Sequence, residues 1–317
     1  MTFFRTLWLH QRVLMVICLW HVAMIPVVLL LYLIYPLEIS GVNGWVKPLK
    51  FAISSAVYAG SIAWIATLLP TTSRWYKLAG WTIAVSLLIE TSLITLQVAR
   101  GTISHYNIST PLDTTIYSLM ATFISMLATA NIICLCVVFF HTAIPTIIRI
   151  ACGWGLAIAV VGMVAGVLMT SVNVSPSQLH TMQVDKKAPT SYGAHSVGVD
   201  DGGPGLPFVG WSTVGGDLRV GHFVGLHGLQ VLPVFALLLI SGRLFRRNTP
   251  AQHQQLVQLV GIAYTAVTVL LIWQALRGQS VIAPDMISIG CAAAIVVVFL
   301  VGAWSILRSR AEKHEMR

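Results

Sequence analysis

The segment 216–233, which reads GDLRVGHFVGLHGLQVLP, gathers most of the side chains that could do chemistry on one predicted helix. At about 100° per residue, Arg219, His222, His227 and Gln230 share an arc of about 140°. An imidazole can act as a general acid or base or as a metal ligand, and a guanidinium can bind an anion. We therefore expect His227 and His222 to be catalytic and Arg219 and Gln230 to bind substrate. The alternative is that all four only bridge helices near the lipid headgroups.

Three glycines occupy the opposite face of the same predicted helix. Gly221 and Gly225 have GxxxG spacing, and Gly228 follows one turn later. Small residues let a second helix approach closely, so this face is expected to pack tightly.

A second set of polar residues lies in the third predicted membrane span. Glu90 and Gln97 are seven residues apart and share a helix face, with Glu90 near the middle of the membrane. An ionisable group at that depth is costly and usually functional. We expect Glu90 to accept a proton and Gln97 to bind substrate. The alternative is a neutral carboxylic acid that bonds to Thr91 or Thr95.

The connection after this span reads RGTISHYNISTPLD. His105 is expected to be catalytic, and Arg100 and Asn107 are expected to bind substrate. Asp113 has a sufficient structural role as the acid of a helix-capping box that begins at Thr110.

Three histidines raise the question of a haem. His222 and His227 are five residues apart, so an ideal helix does not aim both at one metal. His21 in the first span lies at a depth similar to that of His227, which leaves room for a b-type haem held by His21 and His222 or His227. The alternative is that each imidazole is hydrogen-bonded and structural. No CxxCH motif for covalent haem occurs, and the five cysteines lie in apolar segments.

Two lysines, Lys47 and Lys50, open the second span in NGWVKPLKF. Lysines at a helix end more often extend to lipid phosphates than bind substrate. We therefore expect both to contact lipid headgroups.

Membrane helices must position these residues. Apolar residues make up 56% of the chain and charged residues only 9%, against roughly 25% in soluble domains. Stretches of about 20 uncharged residues recur, which is long enough to cross a bilayer core of about 30 Å. The net charge of +9 therefore indicates membrane topology and not nucleic-acid binding.

We predict an all-α integral membrane protein, built as one domain of about eight transmembrane helices. The connections are short except for one long glycine-rich outer loop, 173–218. The predicted spans are 13–35, 48–70, 77–99, 111–140, 147–172, 219–241, 253–275 and 283–307.

Lysine and arginine counts give the orientation. With the N-terminus inside, twelve basic residues fall on the cytoplasmic side and seven on the outer side. This bias predicts that both termini are cytoplasmic, in the inner membrane of a bacterium. The first apolar run is about 23 residues long with no cleavage site after it, and is interpreted as a transmembrane helix rather than a signal peptide.

The strings NGWVKPLKF, QVARGTISHYN and GGDLRVGHFVGLHGLQVLP together resemble a group of bacterial multi-pass membrane proteins. The resemblance implies a multi-pass fold and no particular reaction. Haem A synthase is similar in its number of spans, but that family spreads its histidines through two repeated halves. Here the fifth and eighth spans contain no histidine.

These observations favour a membrane-embedded enzyme or redox protein that acts on a lipid-phase or anionic substrate in the outer half of the bilayer. A proton-coupled transporter that uses the same residues is the first alternative, and a protein with an assembly or structural role is the second. Walker A, HExxH and GxSxG motifs are absent, so ATP-driven and hydrolase-type sites are not indicated.

Overall fold

The computed structural model describes residues 3–69, 73–171, 173–245 and 248–308, and these residues are mostly helical. Their helices are α1 (Phe3–His10), α2 (Arg12–Ile34), α3 (Val46–Ala66), α4 (Arg74–Ala99), α5 (Pro111–Phe140), α6 (Thr146–Ser171), α7 (Pro176–Gln183), α8 (Leu218–Ile240), α9 (Pro250–Leu276) and α10 (Met286–Arg308). Two short antiparallel sheets pair β1 (Glu38–Ile39) with β2 (Val42–Asn43), and β3 (Ser196–Val197) with β4 (Gly216–Asp217).

Eight of these helices, α2 to α6 and α8 to α10, are long and apolar enough to cross a membrane. The predicted all-α multi-pass bundle is thereby confirmed, and most helix ends lie within three residues of the predicted spans. The second span is the exception, because α3 ends at Ala66. Its predicted end at residue 70 and the predicted fifth end at 172 lie outside the described residues.

Local capping chemistry determines where several helices begin. The Thr110 hydroxyl accepts from the Asp113 amide at the start of α5, as predicted. Thr249 and Gln252 form a complete capping box, which is why α9 begins three residues before the predicted span. The Asp217 carboxylate caps α8 by accepting from the Arg219 amide.

Connections 35–45, 100–110, 173–217 and 277–285 meet at one end of the bundle, which we call the loop end. The Ile108 amide donates to the Thr190 carbonyl at 2.9 Å, and the Ser280 hydroxyl donates to the Ser212 carbonyl at 2.9 Å. A Cβ on Gly202 would lie 3.0 Å from the Ser40 carbonyl. The predicted long loop 173–218 therefore contains short elements, α7, β3 and β4, and packs against its neighbours.

The two halves of the bundle differ in polarity. The largest apolar core fills the half away from the loop end and includes Leu14, Ile62, Ile83, Leu156 and Leu232. Smaller apolar clusters lie in the loop-end half, between the polar groups described below. The chemistry-bearing side chains are thus concentrated at one end.

Helices α6 and α8 approach each other most closely through glycine. A Cβ on Gly225 would lie 2.5 Å from the Gly162 Cα, and a Cβ on Gly155 would lie 2.9 Å from the Gly228 carbonyl. On the α9 side, a Cβ on Gly221 would lie 2.4 Å from Ile272. The predicted tightly packed glycine face of α8 is therefore confirmed.

Replacing Gly225 with alanine is expected to lower the free energy of unfolding by about 1–3 kcal/mol, because the new methyl group overlaps the α6 backbone. Gly153 provides the matched control, since no atom lies within 4 Å of a Cβ added there on α6. Gly153→Ala should be neutral or stabilising, as alanine favours a helix. Denaturant unfolding of the two purified variants makes the comparison, and equal stabilities would contradict the packing argument.

Candidate functional site

A hydrogen-bonded chain joins three elements in the loop-end half. The Nε2 atom of His105 lies 3.2 Å from Glu90 Oε1 on α4. The Nδ1 atom of the same ring lies 3.1 Å from Lys47 Nζ on α3 and 3.1 Å from Ser104 Oγ. Glu90 is 3% exposed, whereas the His105 side chain is 19% exposed. The chain therefore links a buried carboxyl group to the surface through one imidazole.

The connection 100–110 folds back into the bundle to make this contact. Glu90 is nine residues before the end of α4, which corresponds to about 14 Å along the helix axis. Ser104 and Tyr106 are buried on either side of His105. Tyr106 has a φ of +64°, a left-handed conformation that costs a non-glycine residue roughly 1–2 kcal/mol. The strained residue directly follows His105, the residue whose side chain turns inward, and backbone strain of this kind clusters at functional sites.

The protonation state of His105 follows from its neighbours. Burial, and then the positive charge of Lys47, hold the pKa of His105 well below its usual range, so the imidazole is neutral near pH 7. An ammonium group only donates, so Nδ1 is the acceptor from Lys47. Nε2 must then carry the proton and donate it to Glu90, which holds the ring in one tautomer.

The second oxygen of Glu90 has no partner among the described residues. Glu90 Oε2 is buried without a hydrogen bond, and so is Ser86 Oγ, one turn earlier on α4. A buried unpaired carboxylate oxygen is costly. Glu90 Oε2 is therefore available to accept a proton.

The stability of the protein should depend on pH through His105. Its folded pKa lies below the unfolded value of about 6.5, so the unfolded state binds more protons and stability falls as pH drops below that value. Burial also lowers the pKa of His195, which adds to the effect. Each histidine contributes at most about 1.4 kcal/mol per pH unit. Melting temperatures between pH 7.5 and 5 should fall less steeply in His105→Asn than in the exposed control His180→Asn, and equal slopes would contradict the assignment.

Arg100, Gln97 and Asp113 form a separate closed network. Asp113 Oδ1 accepts from Gln97 Nε2 at 3.0 Å and from Arg100 Nη1 at 2.7 Å. Asp113 Oδ2 accepts from the hydroxyls of Ser109 and Thr110. Arg100 also donates to the Gln97 side chain. The structure thus gives both predicted substrate-binding residues a protein partner. Asp113 has a structural role, but it does not complete the predicted capping box, because its carboxylate accepts from the Thr110 hydroxyl and not from the Thr110 amide.

Arg219 is likewise paired, with the carboxylate that caps its own helix. Arg219 Nε and Nη2 donate to Asp217 at 2.9 and 2.6 Å, and Asp217 is 2% exposed. Nη2 also donates to the Gly210 carbonyl at 2.6 Å. The guanidinium retains Nη1 without an acceptor in the part of the chain that the structure describes.

The polar residues of α8 differ in their hydrogen-bond partners, although His227 and Gln230 bond to each other. The His222 ring bonds to the Gly162 carbonyl of α6 at 2.8 Å. His227 Nδ1 lies 3.2 Å from Gln230 Oε1, and Gln230 Nε2 donates to Ser61 of α3 at 2.9 Å. No hydrogen bond within the described ranges joins these residues to Glu90 or His105. Their catalytic and binding roles stay predictions.

Asn107 holds the shape of the connection 100–110. Its amide nitrogen donates to Thr102 Oγ1 at 2.9 Å and to the Ile103 carbonyl at 3.2 Å. Its carbonyl oxygen accepts from the amide and hydroxyl of Ser109. These bonds fold the loop around His105, so Asn107 positions a candidate catalytic group.

The His21 ring is not arranged to hold a haem iron. His21 Nδ1 bonds to the Ile17 carbonyl at 2.8 Å, and Nε2 bonds to Thr91 Oγ1 at 3.1 Å. Both ring nitrogens are occupied and the residue is fully buried. The structural alternative therefore describes His21 better than the haem hypothesis does.

The structure corrects the interpretation of the two lysines. Lys47 contacts His105, and Lys50 Nζ donates to the Val209 carbonyl at 3.1 Å, so both side chains point into the protein instead of toward lipid phosphates. Neither forms an ion pair with a carboxylate within the described segments. Their spacing, one turn apart at the start of a span, was the signal that could have identified them.

Comparisons with protein-family models, curated proteins and solved structures give no match. The resemblance to a group of bacterial membrane proteins therefore stays a prediction, and the function must be argued from the site itself.

Proposed function

We propose that this chain is a membrane-embedded enzyme that transfers a proton to or from an anionic substrate bound at the loop end, with His105 as the acid or base. The hydrogen-bonded chain from Lys47 through His105 to Glu90 is the observation that carries the proposal. A base oriented by a carboxylate on its far nitrogen is the arrangement that activates a substrate in many unrelated enzymes.

The geometry suggests how binding is coupled to chemistry. An anion that attracts the Lys47 ammonium draws it from Nδ1 of His105, and that nitrogen can then accept a proton because the remaining neighbour, the Ser104 hydroxyl, can turn from donor to acceptor. The Nε2–H group still donates to Glu90, whose negative charge stabilises the imidazolium that forms. Lys47 therefore acts as anion holder and as a gate on the base.

The distribution of polar residues favours an enzyme over a transporter. The largest apolar core fills the half of the bundle opposite the loop end, so the candidate polar groups are concentrated on one side of the membrane. Backbone contacts between Gly162 and Gly225 also join α6 and α8 tightly, which opposes rocking between them. The buried Glu90 oxygen, which has no partner among the described residues, is the observation that favours proton-coupled transport. An assembly role does not explain the hydrogen bonds that join Lys47, His105 and Glu90.

We further propose that the loop end faces outward and that both termini are cytoplasmic, in the inner membrane of a bacterium. The excess of basic residues at the other end supports this orientation. Labelling of Val184→Cys, an exposed position at the loop end, with a membrane-impermeant maleimide on intact cells tests it. Labelling only after lysis would reverse the orientation.

Nuclear magnetic resonance of ¹⁵N-histidine-labelled protein tests the proton chemistry. We expect His105 to be neutral at pH 7 with its proton on Nε2. Lys47→Met should raise the pH at which the ring becomes protonated, because it removes both a donor to Nδ1 and a positive charge. A titration that is unchanged in Lys47→Met would overturn the proposed gate.

Product profiling tests the catalytic assignment. Cells that express wild-type protein, His105→Asn or His227→Ala are compared by mass spectrometry of lipids and small anions. A product of wild-type cells should form about 10²–10⁴-fold more slowly with His105→Asn. Loss with His227→Ala and retention with His105→Asn would instead support the α8 residues predicted from sequence.

A further inference from the structure

Two cations hold one short hairpin at the loop end. The hairpin, residues 205–212, is closed by pairing of Gly205 with Ser212 and by the Leu206 amide donating to Trp211 at 2.8 Å. Lys50 Nζ donates to the Val209 carbonyl, and Arg219 Nη2 donates to the Gly210 carbonyl. These acceptors belong to consecutive residues, whose Cα atoms are about 3.8 Å apart. Lys50 and Arg219 are therefore held close together and act on each other electrostatically.

Lys50 lacks a carboxylate partner of its own at this place, among the residues that the structure describes. Arg219 has Asp217 as its partner, whereas Lys50 forms no ion pair within the described ranges. Lys47, one turn before Lys50 on α3, also interacts with both Lys50 and Arg219. Asp217 pairs with Arg219, and Asp201 and Glu90 act on Lys47 from further away, but the described acceptor of Lys50 is a neutral carbonyl group. An anion beside Lys50 would offset the repulsion between Lys50 and Arg219.

Hydrogen-bond donors remain available for such an anion. Lys50 uses one of its three N–H groups on the hairpin, and Arg219 Nη1 has no acceptor among the described residues. A lysine beside an arginine fork is the donor set that suits phosphate oxygens, because charge-assisted bonds to phosphate are stronger than bonds to neutral carbonyls.

The hairpin tip is placed so that it can be displaced. Phe208 is 79% exposed, and no atom lies within 4 Å of a Cβ added to Gly210. The Gly210 amide donates to the Leu206 carbonyl at 2.8 Å. This bond lies within the tip, so it does not depend on the contacts to Lys50 and Arg219. Its two carbonyl contacts to Lys50 and Arg219 can be exchanged for bonds to a ligand.

We propose that Lys50 and Arg219 form a phosphate-binding site, and that a phosphate group replaces the Val209 and Gly210 carbonyls as their acceptor. This site rests on the proposed function, because it identifies the anionic substrate as one that carries a phosphate group. The phosphate would lie near Lys47, which contacts His105. The phosphate belongs either to a lipid headgroup or to a free small molecule, which share this chemistry.

Calorimetric titration of the protein in maltoside micelles tests the site. Inorganic phosphate is added at constant ionic strength in one arm, and phosphatidylglycerol in the other. We expect Lys50→Met to weaken binding by roughly 10–100-fold, the range for losing one charged hydrogen bond, and Lys50→Arg to restore most of it. Lys77→Met, at the other end of the bundle, is the matched control and should bind like the wild type. Binding in only one arm identifies the source of the phosphate, and binding in neither arm overturns the proposal.

Carbonyl resonances separate this site from simple surface binding. Phosphate or phosphatidylglycerol should shift the ¹³C carbonyl signals of Val209 and Gly210, because these two carbonyls lose their charged donors. Binding without that change would place the ligand elsewhere and contradict the replacement of the carbonyls. His105→Asn should still bind phosphate, so a failure of the acid–base assignment leaves this result unchanged. If the His105 titration behaves as expected but phosphate does not bind, the phosphate site is wrong and the acid–base assignment stands.

Discussion

Replacing His105 with phenylalanine is expected to lower the free energy of unfolding by about 3 kcal/mol. Phenylalanine fills a similar volume beside Phe51 and Tyr106, so the loss comes from polar groups and not from a cavity. Glu90 would lose its only described hydrogen-bond partner, and Lys47 would lose the acceptor to which it donates. An unpaired buried carboxylate is among the most destabilising features in a folded protein.

A double-mutant cycle shows whether the two residues act as a pair. The cycle combines His105→Phe with Glu90→Leu and measures each variant by detergent-induced unfolding. Removing the carboxylate as well should recover most of the stability, because no buried polar group is then left unpaired. Additive losses would show that Glu90 and His105 do not interact, and the proposed acid–base pair would have to be abandoned.

Replacing Asp113 with asparagine is expected to cost about 2–3 kcal/mol. Four side chains donate to the Asp113 carboxylate, and an amide nitrogen in place of one oxygen would face donors instead of accepting from them. The amide oxygen can remain on the side of Gln97 and Arg100, so the main loss is the negative charge that pairs with Arg100. The start of α5 would also lose part of its capping interaction.

Asp285 offers the matched comparison. It also accepts from an arginine, Arg277, and from a backbone amide, that of Ser288, but its side chain is 35% exposed. Asp285→Asn should therefore destabilise the protein much less than Asp113→Asn in the same unfolding experiment. Similar losses at the two sites would mean that burial of the Asp113 network contributes little.

The sequence alone determined the architecture of this protein. Runs of about 20 apolar residues must be helical in a bilayer, because every backbone group has to be hydrogen-bonded within its own segment. The Thr110 and Thr249 caps and the glycine face of α8 followed from local rules of the same kind. Such features depend on neighbours within about one turn of helix, which the sequence displays directly.

The tertiary structure decided which polar groups meet. Glu90 and His105 were each identified from sequence, yet no periodicity relates a residue inside a helix to one in an irregular loop. The four polar residues of α8 shared an arc, and His227 and Gln230 do bond to each other. The other partners of Arg219, His222 and Gln230 lie on the hairpin 205–212, α6 and α3, respectively. Arg100 and Arg219 were expected to bind substrate because arginine suits anions, and each proved to be paired with a buried aspartate.

Lys47 and Lys50 show most clearly why the sequence does not reveal which polar groups meet. A lysine near a helix end can extend to lipid phosphates or turn into the protein, and its sequence neighbours are the same in both cases. Lys47 and Lys50 turn inward because a loop 58 residues away and a hairpin 159 residues away supply their acceptors. The direction of a long, flexible side chain is set by distant partners, so only the folded chain places Lys47 beside the candidate base and Lys50 against the hairpin.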